Sequence, residues 1–514
     1  MPPLVAVSRS LEHVLRTIIV PRLVLAAIAA AGLIGLVAWA RNLAGLTLLD
    51  EAGYGDSYIL YDVLHLQKSG HIYRDLSDPP FLPAQYSPLL YFAFAGVNRL
   101  FDLANPFIGP RLLVMTAFGA CIAVTVSIVK SYLSERRTWV WAILLIASSF
   151  TLWDWLLQLR ADFLGITFSL LAIRLLMSDR RWAASAAGLC AGMALQFKLT
   201  FVAAAATGTL WLIWRQQWGS LWRFVAVAAA SSVGLYLLYW LREPRMFAQM
   251  LALAPGVPDR SGAADLLLIA LVQPVMVFTL IGIPSSVTRN DPHWWLLSGF
   301  AALSFGIAAI TSVQAGAAIN YYFEPLFAMV PLAVVGVRQM VQRTNAVHLA
   351  VSIVVFTLFV PSVQALRNEF VPARSVHARN EDFKALERVL RQYRIFSTMP
   401  RVALIDQAPQ LLEPFLLSYL LRLRPIDQTP ILRPIEEQRF DGVITGASVA
   451  GSRGITSVNP LLHAAIADAY VPYCTRQRLL LHLPRREQAM AARLARDMAA
   501  IGCERIRGPH APTW

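Results

Sequence analysis

Charge is scarce in this sequence. Only 15% of its 514 residues are Asp, Glu, Lys or Arg, while 57% are hydrophobic. Soluble domains carry roughly 25% charged residues, so the composition excludes an ordinary water-soluble domain and points to a polytopic α-helical membrane protein. Cysteine is scarce too, with four in the chain. Cys121 and Cys190 lie in apolar runs, where a thiol behaves as a small hydrophobe. Cys474 and Cys503 lie in a polar stretch, and a disulfide between them is open if that stretch is outside the cytoplasm. P-loop, zinc-finger and dinucleotide-binding glycine fingerprints are missing, as are internal repeats and low-complexity tracts. No small-residue cleavage site closely follows the first apolar stretch, so 23–40 reads as a retained span and not a removed signal. The net charge is +14. The basic residues cluster in short loops between apolar runs, so topology accounts for much of that excess and no nucleic-acid partner is expected.

About eleven runs approach the ~20 apolar residues that a spanning helix needs. They are approximately 23–40, 111–129, 138–153, 162–177, 182–197, 199–214, 224–241, 264–283, 294–311, 323–340 and 346–364. Every second loop is short and basic, with Lys130 and Arg137, Arg180 and Arg181, Arg215 and Arg223, Arg289, and Arg338 and Arg343. Those loops are expected in the cytoplasm with the N-terminus. Everything after about 365 then falls outside. There charge rises and long apolar runs stop. RVALIDQ (401–407), FDGVITG (440–446) and RLLLHLP (478–484) read as strands. Helices are expected at 411–423, 459–471 and 486–502. That alternation predicts a small C-terminal α/β domain with a partly parallel sheet, so the expected domains are 1–364 and 365–514. Trp153, Trp155, Trp294 and Trp295 read as anchors in an interfacial belt.

The first outer loop, 41–110, is the most polar and aromatic-rich part of the membrane portion. Its opening, LTLLDEAGYGDSYILYD, holds Asp50, Glu51, Asp56 and Asp62 with Tyr54, Tyr58 and Tyr61. A carboxylate cluster just outside a span is costly unless it has a partner or a task. The bland alternative is a solvated loop. Residues 58–68 and 89–101 are expected to form helices lying along the membrane surface, the first ended by Gly70. Asp56, next to Gly55, suits a general base, and Asp50 with Glu51 are the competing acids. His65 and His71 lie six apart with no third ligand, which argues against zinc.

Lys198, Arg160 and Arg111 stand at expected outer ends of spans. Fixed cations at that depth suit a lipid-linked phosphate. Ordinary interfacial snorkelling is the alternative, and Arg160 and Asp162 also suit pairing with each other. Asn320 and Glu324 are spaced one helical turn apart.

The pattern Asp56-x-Tyr58-x3-Asp62, Gly70-x-Ile72-Tyr73, Tyr86-Ser87-Pro88-Leu89 resembles the first outer loop of the membrane-integral GT-C glycosyltransferases. The nearest likeness is to protein O-mannosyltransferases and lipopolysaccharide-core transferases. GPRLLVM with Arg111, the Arg160-Ala161-Asp162 turn, AGLCAGMALQFKLT with Lys198, and GAAINYYFEP add to it, in order, over roughly residues 20–365. The resemblance implies a GT-C-like membrane domain in a bacterial inner membrane. The implied donor is a polyprenyl-phosphate sugar, and the acceptor is a hydroxyl on a lipid, glycan or protein. It places the base at Asp56, with Asp50 and Glu51 as alternatives, and the donor phosphate at Lys198, Arg160 and Arg111. It implies substrate contacts at Asp62, Tyr58, Tyr86, Asp162, Asn320, Tyr321 and Glu324. Tyr54 stands where some relatives carry the first acid of an Asp-x-Asp, so no metal site is expected; the cofactor stays unknown, with a divalent ion at Asp50 and Glu51 left open. A transporter or flippase of lipid-linked glycans is the rival reading; it shares the cations and needs no base.

Overall fold

The computed structural model describes residues 20–76, 80–133, 135, 137–252, 258–286, 291–314, 316–342, 373–405, 410–411, 427–446, 460–476, 479–486 and 488–506. Among the described residues, five stretches form helices long and apolar enough to cross a membrane. They are Arg22–Thr47, Ile108–Tyr132, Trp218–Arg242, Pro292–Thr311 and Ile319–Met340. Arg260–Leu271 and Pro274–Gly282, bent by 69°, make a sixth if they form one span. The bend falls at Pro274, which has no N–H to give the helix ladder. Helices also form at Thr138–Ser148, Asp162–Leu176, Ala183–Phe197 and Ala203–Trp214. These have 11 to 15 residues, and at 1.5 Å per residue they fall short of the hydrocarbon thickness. The run expected at 346–364 lies outside the described residues.

The chain divides into two compact units. The first comprises Met1–Gly45, Arg111–Leu237 and Pro258–Pro372. Its helices pack closely where small residues recur every four positions. A Cβ on Gly188 would collide with the Phe224 carbonyl oxygen, and one on Gly192 would collide with Ser231 Oγ. Glycine therefore sets the approach of Ala183–Phe197 to the helix that begins at Trp218. Trp153 and Trp294 are buried, and Trp153 Nε1 donates to the Ala147 carbonyl. Tight packing thus takes two of the expected belt anchors into the interior, while Trp295 stays exposed.

The second unit comprises Leu46–Pro110, Leu238–Val257 and Ala373–Trp514. The two helices expected after the first span are present, at Asp56–Ser69 and Pro88–Phe101. Gly55 before the first has φ +85°, and Gly70 after it has φ +78° and donates its N–H to the Leu66 carbonyl. Only glycine takes that backbone without strain.

Among the described residues six strands form one sheet, namely β1 (Ile395–Ser397), β2 (Gln410–Leu411), β3 (Gly442–Gly446), β4 (Tyr470–Arg476), β5 (Leu479–Pro484) and β6 (Glu504–Arg505), in the order β2-β1-β3-β5-β4-β6. β1 runs parallel to β2 and β3, and the other pairs are antiparallel. Successive strand residues face opposite sides. Ile395 and Ile444 pack with Leu386 and Leu390 of the helix Ala373–Leu390 and Leu494 and Met498 of the helix Ala489–Ala500. Phe396 and Val443 pack on the other side with Ile431, Leu462 and Ile466. Cys474 of β4 is disulfide-bonded to Cys503, with the Cα atoms 5.6 Å apart.

Three sequence expectations change here. RVALIDQ is not a strand over its described part, because Pro400 at the first helical position favours the 3-10 turn Pro400–Leu404. The helix expected over 459–471 stops at Ala469, and the aromatic and β-branched run from Tyr470 becomes β4. Leu411 pairs in β2, and the remainder of 411–423 lies outside the described residues.

Candidate functional site

In the first unit a polar node forms where three helical elements begin or end. Asp162 opens the helix Asp162–Leu176, where a carboxylate suits the positive end of the helix dipole. Lys198 follows the last residue of Ala183–Phe197, where a cation suits the negative end. The Lys198 ammonium lies 3.0 Å from Asp162 Oδ1, and the Asn320 amide donates to Asp162 Oδ2 across 3.0 Å. Asn320 comes from the 3-10 turn Ile319–Tyr322, which leads into the helix Phe323–Gln342. The Asp162 side chain is 2% exposed and that of Lys198 15%. Lys198 Nζ also lies 4.0 Å from the centre of the Tyr321 ring, within cation–π range. Glu324 is buried one turn further on, with Lys198 within electrostatic reach.

The expected residues Lys198, Asp162, Asn320, Tyr321 and Glu324 therefore come together. Asp162, considered above as a partner of Arg160, is ion-paired with Lys198 and hydrogen-bonded by Asn320. Arg160 is half-buried, and its backbone N–H bonds the Gln158 carbonyl. Arg111 is fully buried, and its Nη1 donates to the Gly45 carbonyl at 3.4 Å.

In the second unit the acids of the first loop form a linked series. Asp56 Oδ2 accepts the backbone N–H groups of Ala52 at 3.2 Å and Gly53 at 3.0 Å. Glu51 Oε2 accepts from the Gly55 N–H, and Asp50 Oδ1 accepts from the Glu51 N–H. Asp56 and Asp50 are buried. Asp50 Oδ2 lies 3.4 Å from Arg379 Nη2 and 3.6 Å from Arg401 Nη2. The sequence reading missed both arginines. Arg379 is one of many charged residues in RSVHARNEDFK, and nothing in its neighbourhood marks it.

Asp62 is paired with Arg74, which also lies 4.9 Å from the centre of the Tyr61 ring. Burial pushes the Asp62 carboxyl up to about 6, against the opposing pull of the Arg74 charge and of hydrogen bonds from Arg74 and Tyr91. Burial also pushes the Tyr91 hydroxyl well above its ordinary value. The Tyr58 hydroxyl donates to the Thr398 carbonyl, and the Tyr73 hydroxyl donates to the Tyr86 carbonyl. Tyr58 is buried and Tyr86 is half-buried.

Beside these residues is a cavity of about 370 Å³ lined by His65, His71, Arg74, Arg242, Glu243 and Arg245, among others. Glu243 is buried and accepts the Ile72 N–H at 3.0 Å. Burial, followed by the Arg74 charge, pushes His65 down to about 4. Among the described residues no three His, Cys, Asp or Glu side chains are grouped to hold a metal ion.

No protein-family model matches the chain, and no curated protein matches it. Solved structures do. The chain is similar to ArnT from Cupriavidus metallidurans in the apo state, with 13% identity over 89% of this chain and 97% of that one and a TM-score of 0.58. It is similar to the same protein bound to undecaprenyl phosphate, with 11% identity over 91% and 98% and a TM-score of 0.57. With its long apolar helices, this likeness identifies the chain as an integral membrane protein with the GT-C fold.

Proposed function

We propose that the chain is a membrane glycosyltransferase. It moves a hexose or pentose from a polyprenyl-phosphate carrier to a hydroxyl of a lipid, glycan or protein acceptor, with inversion at the anomeric carbon. The observation that carries this reading is an acid loop placed directly after the first span of a GT-C fold. A fold alone hosts many functions, so the residues must supply the chemistry. Asp56 takes the proton of the acceptor hydroxyl as that oxygen bonds to the anomeric carbon. The bond between the anomeric carbon and the phosphate oxygen breaks, and Lys198, with Arg160 or Arg111, stabilises the departing phosphate. Asp50 is engaged by two arginines, and with Glu51 it is the alternative to Asp56 as the base. Tyr58, Asp62, Tyr86, Asp162, Asn320, Tyr321 and Glu324 are assigned to the substrates.

ArnT, whose fold this chain shares, is solved with undecaprenyl phosphate, and a carrier of that type is the donor lipid we assign. We place the site on the periplasmic side of a bacterial inner membrane, with about eleven spans and a cytoplasmic N-terminus. The segment 365–514 forms an α/β domain on the outer side. The Cys474–Cys503 disulfide supports that side, since disulfides persist in oxidising compartments.

The test is release of labelled sugar from a panel of hexose- and pentose-loaded undecaprenyl phosphates, with Asp56→Asn beside the wild type. Loss of transfer with retained binding of undecaprenyl phosphate supports the reading. Full transfer by Asp56→Asn removes Asp56 from the mechanism. Binding without transfer by the wild type favours a carrier of lipid-linked glycans.

A further inference from the structure

We infer that Arg379 and Arg401 are positioning residues for the acid loop, bracing Asp50 so that the Asp56 carboxylate is held in one orientation. This rests on the glycosyltransferase reading above. Residues 47–51 are gripped by partners more than 300 positions away in sequence. Asn380 accepts the Leu49 N–H at 2.8 Å and donates to the Thr47 carbonyl at 3.1 Å. Its neighbour Arg379 donates to Asp50 Oδ2 at 3.4 Å and to the Glu51 carbonyl at 3.3 Å.

Arg401 reaches Asp50 at 3.6 Å and Asp382 at 3.3 Å, and Arg476 pairs with Asp382 on its other oxygen. The ions therefore alternate along a line, Arg379, Asp50, Arg401, Asp382, Arg476. Asp50 is 5% exposed and Arg401 8%, so water screens the centre of that line poorly. From Asp50 the order passes inward. Its other oxygen takes the Glu51 N–H, the Glu51 carboxylate takes the Gly55 N–H, and Asp56 takes two N–H groups of the same turn. A free loop of ten residues with two glycines samples many shapes; one tied at Thr47, Leu49, Asp50 and Glu51 does not. Guanidinium suits the task because its planar fork holds two acceptors at fixed angles, which an ammonium cannot do.

The experiment uses the full chain in detergent with Arg401→Gln, Arg401→Lys and Arg379→Gln. Hydrogen exchange is read on the peptide 46–58, and kcat and KM are read for release of undecaprenyl phosphate from the hexose- and pentose-loaded panel. Arg401→Gln is expected to speed exchange in 46–58 about tenfold and leave 162–200 unchanged. It is also expected to lower kcat for that release about tenfold with the donor KM unchanged, since a loosened loop aligns the Asp56 carboxylate less often. Arg401→Lys restores exchange and kcat only in part, because the charge returns without the planar fork. A merely structural role lowers the folded fraction and leaves kcat per folded molecule unchanged. Arg379→Gln, at the more exposed end of the line, reports the same direction should Arg401→Gln fold poorly. Wild-type exchange and an unchanged kcat in both Gln variants overturn the inference. Failure of the wild type to act on any donor overturns the transferase reading instead, and the exchange measurement still decides the bracing.

Discussion

Lys198 and Asp162 form an ion pair 3.0 Å long between residues 36 positions apart, one at the end of a helix and the other at the start of another. Asn320 completes the carboxylate's coordination from a third element. Removing one partner of a buried pair leaves an uncompensated charge and costs about 3–5 kcal/mol, whereas removing both costs far less. Lys198→Met is therefore expected to lower the unfolding temperature in detergent, and Lys198→Met with Asp162→Asn to recover most of that loss. Recovery of stability without recovery of undecaprenyl-phosphate binding, measured on the double variant, assigns the ammonium to the lipid phosphate as well as to Asp162. Full binding by the double variant removes Lys198 from the donor site.

Asp56 carries a different expectation. A positioned general base contributes roughly 10²- to 10⁴-fold to rate. Asn at this position keeps an acceptor oxygen for the Ala52 and Gly53 N–H groups, so Asp56→Asn is expected to fold with near wild-type stability. Its rate of transfer falls by about that factor, while its apparent affinity for undecaprenyl phosphate stays within about twofold. A rate and stability that fall together point to a loop-holding role.

Much of this loop was legible in the sequence, and its supports were not. The acids, the glycines on either side of the helix Asp56–Ser69, and the helix Pro88–Phe101 follow from local rules of backbone freedom and apolar spacing. Lys198 stood out because a cation interrupts two apolar helices with hardly any loop. Arg379 and Arg401 did not, because an arginine on a charged helix looks like any solvated one until the fold brings Asp50 to it. Asp62 was legible as an acid but not as the buried partner of Arg74, since the two stand twelve positions apart, on either side of the end of the helix Asp56–Ser69. Strands as short as Ile395–Ser397 carry no period long enough to detect.

Asp62 also sets a pH dependence. Its folded-state pKa is raised, from 3.8 to about 6, chiefly by burial. A raised pKa means the folded protein holds the proton more tightly than the unfolded chain does. The resulting stability is full below about pH 4 and is lost as pH rises through about 6. Thermal unfolding of the wild type and Asp62→Asn, compared from pH 4 to 7, should give curves that converge or cross, the wild type losing more stability over that range. Parallel curves would mean that Asp62 titrates alike in both states.

The disulfide tests orientation and stability together. Cys474 and Cys503 close a loop of 29 residues, and a cross-link of that span restricts the unfolded chain by about 3–4 kcal/mol on the loop-entropy account. Cys474→Ser with Cys503→Ser should thus lower the unfolding temperature of the second unit even under oxidising conditions. On intact cells, a membrane-impermeant thiol reagent should leave the wild-type pair unmodified until an impermeant reductant is added from outside, and should then label it. Cys121 is buried in a helix and gives no competing signal from outside. Labelling of Cys474 and Cys503 without reductant, and only after the membrane is permeabilised, would place the sheet in a reducing compartment. The acid loop belongs to the same compact unit as the sheet, so that result would also remove the periplasmic assignment of the site.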